Sequence, residues 1–295
     1  MPKYLDPKIL SKIKGMELRA RLVVEGTLVG LHKSPHHGFS VEFTSHRPYM
    51  PGDEIRRIDW KVYGRTDRYY LKQFEEETNL RAYIILDGSK SMSYKSNTIS
   101  KFEYASYLAA SLAYLLVNQK DAVSLTIFDK IIRSYIPPST TRANLSLVFD
   151  TLDNAKPQGE TSMSTVLEEL SAKIKRRGLI ILLSDLFDDE DRVIHALRSF
   201  RAKKNEVLVF HILDEQELKF NFEENVVARD LETNEELPIS PKDLRNAYLL
   251  EIENFINTYK RELHSSRIDY LLISTSSPLE KSLTTYLAKR KTWRF

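Results

Sequence analysis

The sequence predicts an α/β fold built on a doubly wound, mostly parallel six-stranded sheet with helices on both faces. After residue 80, apolar runs that resemble buried strands alternate with amphipathic stretches of helical period, which is the pattern of a parallel sheet. Runs such as "VSLTIF" and "LIILLS" are apolar almost throughout, as expected of strands that are covered on both faces. These two observations define the predicted fold class.

The elements of this sheet follow one another in a regular order. Strands are predicted at 82–86, 122–128, 131–136, 179–184, 206–213 and 268–274. Helices are predicted at 101–119, 142–153, 163–176, 189–203, 241–264 and 278–290. Only "DK" separates the second strand from the third, so these two should form an antiparallel hairpin at the sheet edge. The expected strand order is then 3-2-1-4-5-6.

The chain before residue 80 has a different character. We expect residues 1–80 to form a smaller N-terminal segment that packs on a main domain of residues 81–295. Helical spacing of apolar residues predicts a helix over 7–26, and alternation predicts one strand over 39–43. Outside the main sheet, a further hairpin is predicted within 220–239, with its turn at Glu232–Glu235.

Composition limits the classes of function. Among 295 residues, 44 Lys and Arg oppose 41 Asp and Glu, a balance that does not favour nucleic acid or an anionic membrane as the main partner. The chain has no cysteine, which excludes disulfides, thiol catalysis and thiolate metal sites. No signal peptide is visible, and the most apolar window, 104–117, is shorter than the about 20 residues that a membrane span needs. We therefore expect a cytoplasmic protein without membrane insertion.

Polar residues follow the apolar runs at three places. Asp87, Ser89 and Ser91 come after the first strand, Thr161 lies in the loop "QGETSM", and Asp185 follows "LIILLS". The carboxyl ends of the strands in such a sheet gather at one edge, and ligands bind where the strand order reverses. The reversal is expected between the first and fourth strands, so the two aspartates should face each other there.

All five side chains offer oxygen donors, which suit Mg²⁺, Mn²⁺ or Ca²⁺. In an extended turn, alternate side chains point the same way, so Asp87, Ser89 and Ser91 can share one focus. Another interpretation stays open, because Asp and Ser are favoured helix N-caps and Thr161 or Ser162 could cap the next helix. The pattern therefore predicts a metal site of Asp87, Ser89, Ser91, Thr161 and Asp185, with helix capping as the alternative.

The stretches "ILDGSKSM" and "LLSDLFDD", together with Thr161, resemble the metal-ion-dependent adhesion site of the von Willebrand factor A fold. The resemblance covers about residues 81–295. It implies that Ser89, Ser91 and Thr161 bind the metal directly, while Asp87 and Asp185 act through water or from behind these ligands.

The stretch "EFTSHRPYMPGDEIRRIDWKVYGRTDRYYLKQFEEE" resembles the signature of the bacterial family called domain of unknown function 58. The matching positions are Arg47, Tyr49, Gly52, Asp53, Arg56, Ile58, Asp59, Trp60, Arg65 and Thr66. Membership would imply an A-type domain behind the signature. It would also imply a partnership with MoxR-type AAA+ ATPases in protein assembly or metal-cofactor insertion.

We therefore expect a divalent-cation-dependent protein-binding module rather than an enzyme. Hydroxyl ligands leave the charge of a metal poorly neutralised, so an open position should attract an Asp or Glu carboxylate of the partner. Residue types enriched at binding hot spots also occur in the signature; the partner-binding candidates are Arg47, Arg56, Arg57, Trp60, Arg65 and Tyr69. The same stretch could instead be a structural brace held by ion pairs.

Two other functions remain open. An Mg²⁺-dependent phosphatase could use Asp87 as its nucleophile, although that chemistry needs a second aspartate where Ser89 stands. The basic and aromatic residues of 47–72 could bind nucleic acid. Acidic residues among them, such as Asp53 and Asp59, would repel phosphates.

Overall fold

The computed structural model of the chain describes residues 10, 15–32, 46–48, 60, 63–64, 67–72, 80–222, 226–229, 236–239 and 241–290. Its strands are β1 (His46–Pro48), β2 (Tyr70–Lys72), β3 (Arg81–Asp87), β4 (Ala122–Phe128), β5 (Ile132–Ser139), β6 (Leu179–Ser184), β7 (Glu206–Leu213), β8 (Val226–Arg229), β9 (Glu236–Ile239) and β10 (Asp269–Ser274). Its α-helices are α1 (Met16–His32), α2 (Lys101–Asn118), α3 (Arg142–Asn154), α4 (Met163–Lys173), α5 (Glu190–Ala202), α6 (Glu215–Lys219), α7 (Pro241–Ser265) and α8 (Leu279–Arg290). A single 3₁₀ turn at Lys90–Ser93 lies between β3 and α2.

The main sheet has the strand order β10-β7-β6-β3-β4-β5. All pairs are parallel except β4 and β5, which form the antiparallel edge hairpin. The predicted order 3-2-1-4-5-6 is therefore confirmed, and so is the reversal between β3 and β6. Because Leu86 pairs with Leu183, the residues that follow these two strands emerge side by side at the carboxyl edge.

Helices cover both faces of this sheet, as predicted. On one face, α2 packs against β3, β4, β6 and β7, with α3 and α8 beside it. Apolar residues on nearly every side of α2 are buried, which fits a helix enclosed by the sheet and its neighbours. On the other face, residues of α4, α5 and α7 such as Leu167, Phe200 and Tyr259 form one cluster with Ile85 and Val209 of the sheet.

Within the predicted 7–26, Leu10 is helical, and helix α1 runs from Met16 to His32. Residues 7–9 and 11–14 of the prediction lie outside the described residues. The backbone N–H of Met16 donates to Asp153 Oδ2 at 2.9 Å, and the Arg19 guanidinium lies 4.8 Å from the centre of the Tyr107 ring. This helix thus contacts α2 and α3. Of the helices that the structure describes, none is long and apolar enough to cross a membrane.

The chain divides into two compact units, residues 1–31 with 79–295 and residues 32–78. In the smaller unit, β1 and β2 pair antiparallel, and the rings of Tyr63 and Tyr69 stack at 4.5 Å. The strand predicted at 39–43 lies outside the described residues, and the proposed domain boundary at residue 80 stays a prediction. The hairpin predicted within 220–239 is confirmed as β8 and β9, although its turn at Glu232–Glu235 is not among the described residues.

Candidate functional site

A row of buried aspartates marks the carboxyl edge of the sheet. The four neighbouring strands β4, β3, β6 and β7 end in, or are followed by, Asp129, Asp87, Asp185 and Asp214, each at most 1% exposed. Sequence reasoning identified Asp87 and Asp185 and missed the other two. The signal was available, because "TIFD" and "HILD" also stop an apolar run at an aspartate.

Asp87 lies at the strand reversal and is fixed from both sides. Its Oδ1 accepts a hydrogen bond from the backbone N–H of Ser89 at 2.9 Å. Its Oδ2 accepts one from the Ser184 hydroxyl of β6 at 2.7 Å. The Ser184 Oγ in turn accepts from the N–H of Leu186 at 2.8 Å. The ends of β3 and β6 are therefore joined through one carboxylate.

The two serines of the D-x-S-x-S stretch come together, as predicted. Ser89 Oγ and Ser91 Oγ lie 3.0 Å apart, with Ser89 buried and Ser91 half-buried. Ser89 precedes the 3₁₀ turn but makes no side-chain capping bond to it. Ser162, which precedes α4, likewise makes none. Neither Ser89 nor Ser162 therefore caps the element that follows it, although Asp87 accepts the backbone N–H of Ser89.

Thr161 carries a buried hydroxyl that has no hydrogen-bond partner among the described residues. Its loop is held beside the D-x-S-x-S stretch, because Lys90 N donates to Gly159 O and Gln158 N donates to Gly88 O, both at 2.8 Å. Gly159 has φ +72°, and a Cβ there would lie 2.8 Å from Asp129 Oδ2. A buried polar group without a partner is unfavourable by about 1–3 kcal/mol, which a ligand at this site would relieve.

The electrostatics of the site also favour a cation. Burial, and then the negative charge of Asp185, raise the pKa of Asp87 to about 7, and the hydrogen bonds from Ser184 and Ser89 only partly offset this rise. A nearby positive charge would favour the ionised form. A cation would therefore act mainly on Asp87, because Asp185 is already paired with the Lys101 ammonium group at 2.8 Å.

The donors fit a divalent cation such as Mg²⁺ or Mn²⁺, since hydroxyl and carboxylate oxygens are hard ligands. In the described part of the chain, no group of three or more His, Asp or Glu side chains is arranged to hold a metal. A cation at this edge would therefore depend on hydroxyls. Ser89, Ser91 and Thr161 are the residues that would hold it, with Asp87 and Asp185 behind them.

A buried lysine is a further member of the site that the sequence did not reveal. Lys101 Nζ lies 2.8 Å from Asp185 Oδ2 and 2.6 Å from Glu217 Oε1 of α6. Burial lowers the pKa of Lys101, but the two carboxylates more than offset this, so its pKa lies above the ordinary value. A lysine at the start of a helix is usually a surface residue, and no sequence pattern distinguished this one.

An open cleft of about 490 Å³ lies beside the D-x-S-x-S stretch, lined in part by Lys90, Lys130, Arg133 and Glu160. Arg133 Nε pairs with Asp129 Oδ2 at 2.7 Å, and Lys130 Nζ pairs with Glu160 Oε2 at 2.8 Å. The cationic side chains of Lys130 and Arg133 at this cleft are thus each paired with a carboxylate.

The predicted partner-binding residues belong to the smaller unit and are only partly described. Trp60 is 57% exposed and Tyr69 is 47% exposed. Arg47 lies in β1, where only the backbone is described, and Arg56, Arg57 and Arg65 lie outside the described residues. The proposed partner surface therefore stays a prediction.

The family model described as "Protein of unknown function DUF58" matches residues 45–254, which is more than half of the chain. Similar proteins include the uncharacterized protein Mb1516 of Mycobacterium bovis and the uncharacterized protein Rv1480 of Mycobacterium tuberculosis. Each is 25% identical over 234 residues, which span 77% of this chain and 72% of the relative.

Solved structures with a similar fold include the conserved hypothetical protein BatB from Bacteroides thetaiotaomicron. It has a TM-score of 0.49 and 15% identity, and the match covers 72% of this chain and 100% of BatB. The SpRpn10 VWA domain has a TM-score of 0.44 and 11% identity, with 70% of this chain and 94% of that domain covered. These are likenesses of fold.

Proposed function

The chain belongs to the family of proteins of unknown function DUF58, and we propose that it is a protein-binding module that grips its partner through a divalent cation at the carboxyl edge of the sheet. The observation that carries this proposal is the buried, partnerless hydroxyl of Thr161 in a loop hydrogen-bonded to the D-x-S-x-S stretch. A cation bound at this edge would satisfy this hydroxyl.

The residues of the site would have two different roles in holding the cation. The neutral hydroxyls of Ser89, Ser91 and Thr161 bind without cancelling positive charge, and the buried carboxylates of Asp87 and Asp185 supply the surrounding negative field. A divalent cation bound there supplies an electrophilic position that an external carboxylate can complete. Affinity for the partner should therefore depend on the metal.

The cleft beside the D-x-S-x-S stretch is where an acidic segment of the partner could approach the site. Lys130 and Arg133 line it next to Gly159, and an incoming Asp or Glu would compete with the carboxylates of Glu160 and Asp129 that pair with them. From the family resemblance, the proposed partner is a MoxR-type AAA+ ATPase or its client, with this chain as the adaptor. The test is capture of the purified ATPase on the immobilised full chain in Mg²⁺ but not in EDTA; equal capture in both would contradict a metal-dependent grip.

Metal binding itself is tested by titrating Mn²⁺ into the full chain by calorimetry. We expect one site in the wild type and at least a tenfold loss of affinity in Ser89→Ala/Ser91→Ala. The matched control is Ser96→Ala/Thr98→Ala, which changes two exposed hydroxyls of the following loop and should leave the titration unchanged. No binding signal in the wild type, or an equal signal in Ser89→Ala/Ser91→Ala, would overturn the proposal.

The hydrolase hypothesis has less support. Asp87 is 0% exposed, and both of its oxygens accept hydrogen bonds from Ser89 and Ser184, whereas a nucleophile needs a free approach to its substrate. A phosphatase assay with Mg²⁺ separates the two functions. Turnover by the wild type that vanishes in Asp87→Asn would favour the enzyme over the binding module.

A further inference from the structure

Lys101 is an enclosed cation at the rim of the proposed metal site. It is the first residue of α2 and is 0% exposed. Its backbone N–H donates to Tyr94 O at 3.1 Å, and the capping box of Ser100 with Glu103 fixes the start of the helix. The position of its ammonium group is therefore set by the fold.

The surroundings of the ammonium group explain why a lysine is stable there. Lys101 Nζ contacts Asp185 Oδ2 at 2.8 Å and Glu217 Oε1 at 2.6 Å, and it lies 4.9 Å from the centre of the Phe187 ring. Lysine is almost never fully buried unless it is paired. Two carboxylates and an aromatic face meet this requirement.

The carboxylate of Asp185 thus interacts with two different groups. One of its oxygens faces Lys101, and the same carboxylate stands beside Asp87 at the strand reversal, where its charge helps to raise the pKa of Asp87. A divalent cation at the hydroxyl cluster would be attracted by Asp185 and repelled by the ammonium group. Glu217 weakens this repulsion, because it also pairs with the ammonium group of Lys101 and partly neutralises its charge.

We propose that Lys101 is a built-in counter-cation that holds Asp185 in place without metal and sets the affinity of the site for divalent cations. This proposal rests on the proposed function. It makes Lys101 a positioning residue rather than a ligand. Removing its charge should strengthen metal binding, and removing Glu217 should weaken it, because the ammonium group would then act on Asp185 alone.

The experiment is a Mn²⁺ titration of the full chain followed by the electron paramagnetic resonance signal of free Mn²⁺. We expect Lys101→Met to bind Mn²⁺ about tenfold more tightly than the wild type. We expect Glu217→Gln to bind it at least threefold more weakly. The control is Lys173→Met, which removes a lysine that pairs with Glu169 at 2.6 Å but is 60% exposed on α4, and it should match the wild type.

The outcomes separate this proposal from the proposed function. Unchanged or weaker binding in Lys101→Met, with normal binding in the wild type, overturns the role of Lys101 alone. Binding by Lys101→Met but not by the wild type supports that role and overturns metal dependence of the native protein. If neither binds, both proposals fail. Should Lys101→Met not fold, Glu217→Gln decides, since unchanged Mn²⁺ affinity in that variant overturns the proposal.

Discussion

The buried Oγ1 of Thr161 has no hydrogen-bond partner among the described residues, so replacing this hydroxyl with a methyl group would break no hydrogen bond there. Thr161→Val should therefore leave the metal-free protein equally stable or more stable by about 1 kcal/mol. The same change should weaken Mn²⁺ binding at least tenfold, because one ligand is lost. Urea unfolding in EDTA and Mn²⁺ calorimetry measure the two effects.

The matched variant is Thr161→Ser, which keeps the hydroxyl and should keep the affinity. A metal-free Thr161→Val protein that is less stable by about 2 kcal/mol or more would contradict the interpretation, because it would reveal a structural partner for the hydroxyl. If the hydroxyl serves a ligand, Thr161→Val should keep or gain stability while it loses affinity for Mn²⁺.

His211 on β7 provides a residue-scale prediction about pH. It is fully buried, its Nδ1 lies 2.6 Å from the Tyr270 hydroxyl, and burial lowers its pKa to about 3. In the unfolded chain the pKa of histidine is about 6.5. Below that value the unfolded state takes up a proton that the native state does not, so stability present above pH 6.5 is lost as pH falls toward 3.

Between pH 6.5 and 5 this histidine should lower the free energy of unfolding by about 2 kcal/mol. His211→Asn should remove that part of the pH dependence, as followed by urea unfolding at several pH values. The control is His195→Asn, at an exposed position of α5, which should leave the slope of the wild type. The same slope in His211→Asn and the wild type would contradict the prediction.

The entry into β6 provides a prediction at the scale of elements. A Cβ on Gly178 would clash with the backbone oxygen of Arg81 at the start of β3. Gly178 cannot easily move away, because its N–H donates to Asn205 Oδ1 and its carbonyl accepts from Glu206 N. Gly178→Ala should therefore destabilise the protein by about 3 kcal/mol.

Chemical unfolding of Gly178→Ala checks this prediction against Gly64→Ala. Among the described residues, no neighbouring atom lies within 4 Å of a Cβ on Gly64, and the backbone of Gly64 does not adopt a positive φ. Its substitution should therefore change stability by less than about 0.5 kcal/mol. Equal stabilities of the two variants would contradict this prediction. They would show that the backbone at Gly178 can move away from β3 despite its hydrogen bonds.

Elements with a strong repeating pattern could be predicted from the sequence. The run "LIILLS" and the two-residue gap before "IIRSYI" specified a buried strand and an edge hairpin, because burial and chain length alone require them. The strands β1 and β2 are three residues each and carry no such pattern. Helix α1 starts at Met16 inside a longer periodic stretch, so its boundary could not be deduced from periodicity.

The residues of the site likewise differ in how far the sequence alone predicts them. Asp87 and Asp185 could be predicted because strand order brings the ends of β3 and β6 together. Lys101 and Glu217 meet across 116 residues of sequence, and no local rule relates a helix-initial lysine to a glutamate in a five-residue helix. Their pairing depends on packing around the carboxyl edge, which only the folded chain defines.

For the whole molecule, a ligand that binds only the native state adds stability by mass action. If the site binds Mn²⁺, a concentration about one hundred times the Kd should raise the free energy of unfolding by about 2.7 kcal/mol. Differential scanning calorimetry should then record a rise of several degrees in Tm that EDTA reverses. Ser89→Ala/Ser91→Ala should show no rise, and an equal rise in that variant would assign the effect to another site.

The most direct measurement is anomalous diffraction from crystals of the full chain grown with Mn²⁺. If this site holds the cation, we expect one strong anomalous peak at the carboxyl edge. The peak should lie about 2.0–2.3 Å from the hydroxyl oxygens of Ser89, Ser91 and Thr161. A peak elsewhere, or none at this edge although calorimetry detects binding, would contradict the central claim that these hydroxyls form the metal site.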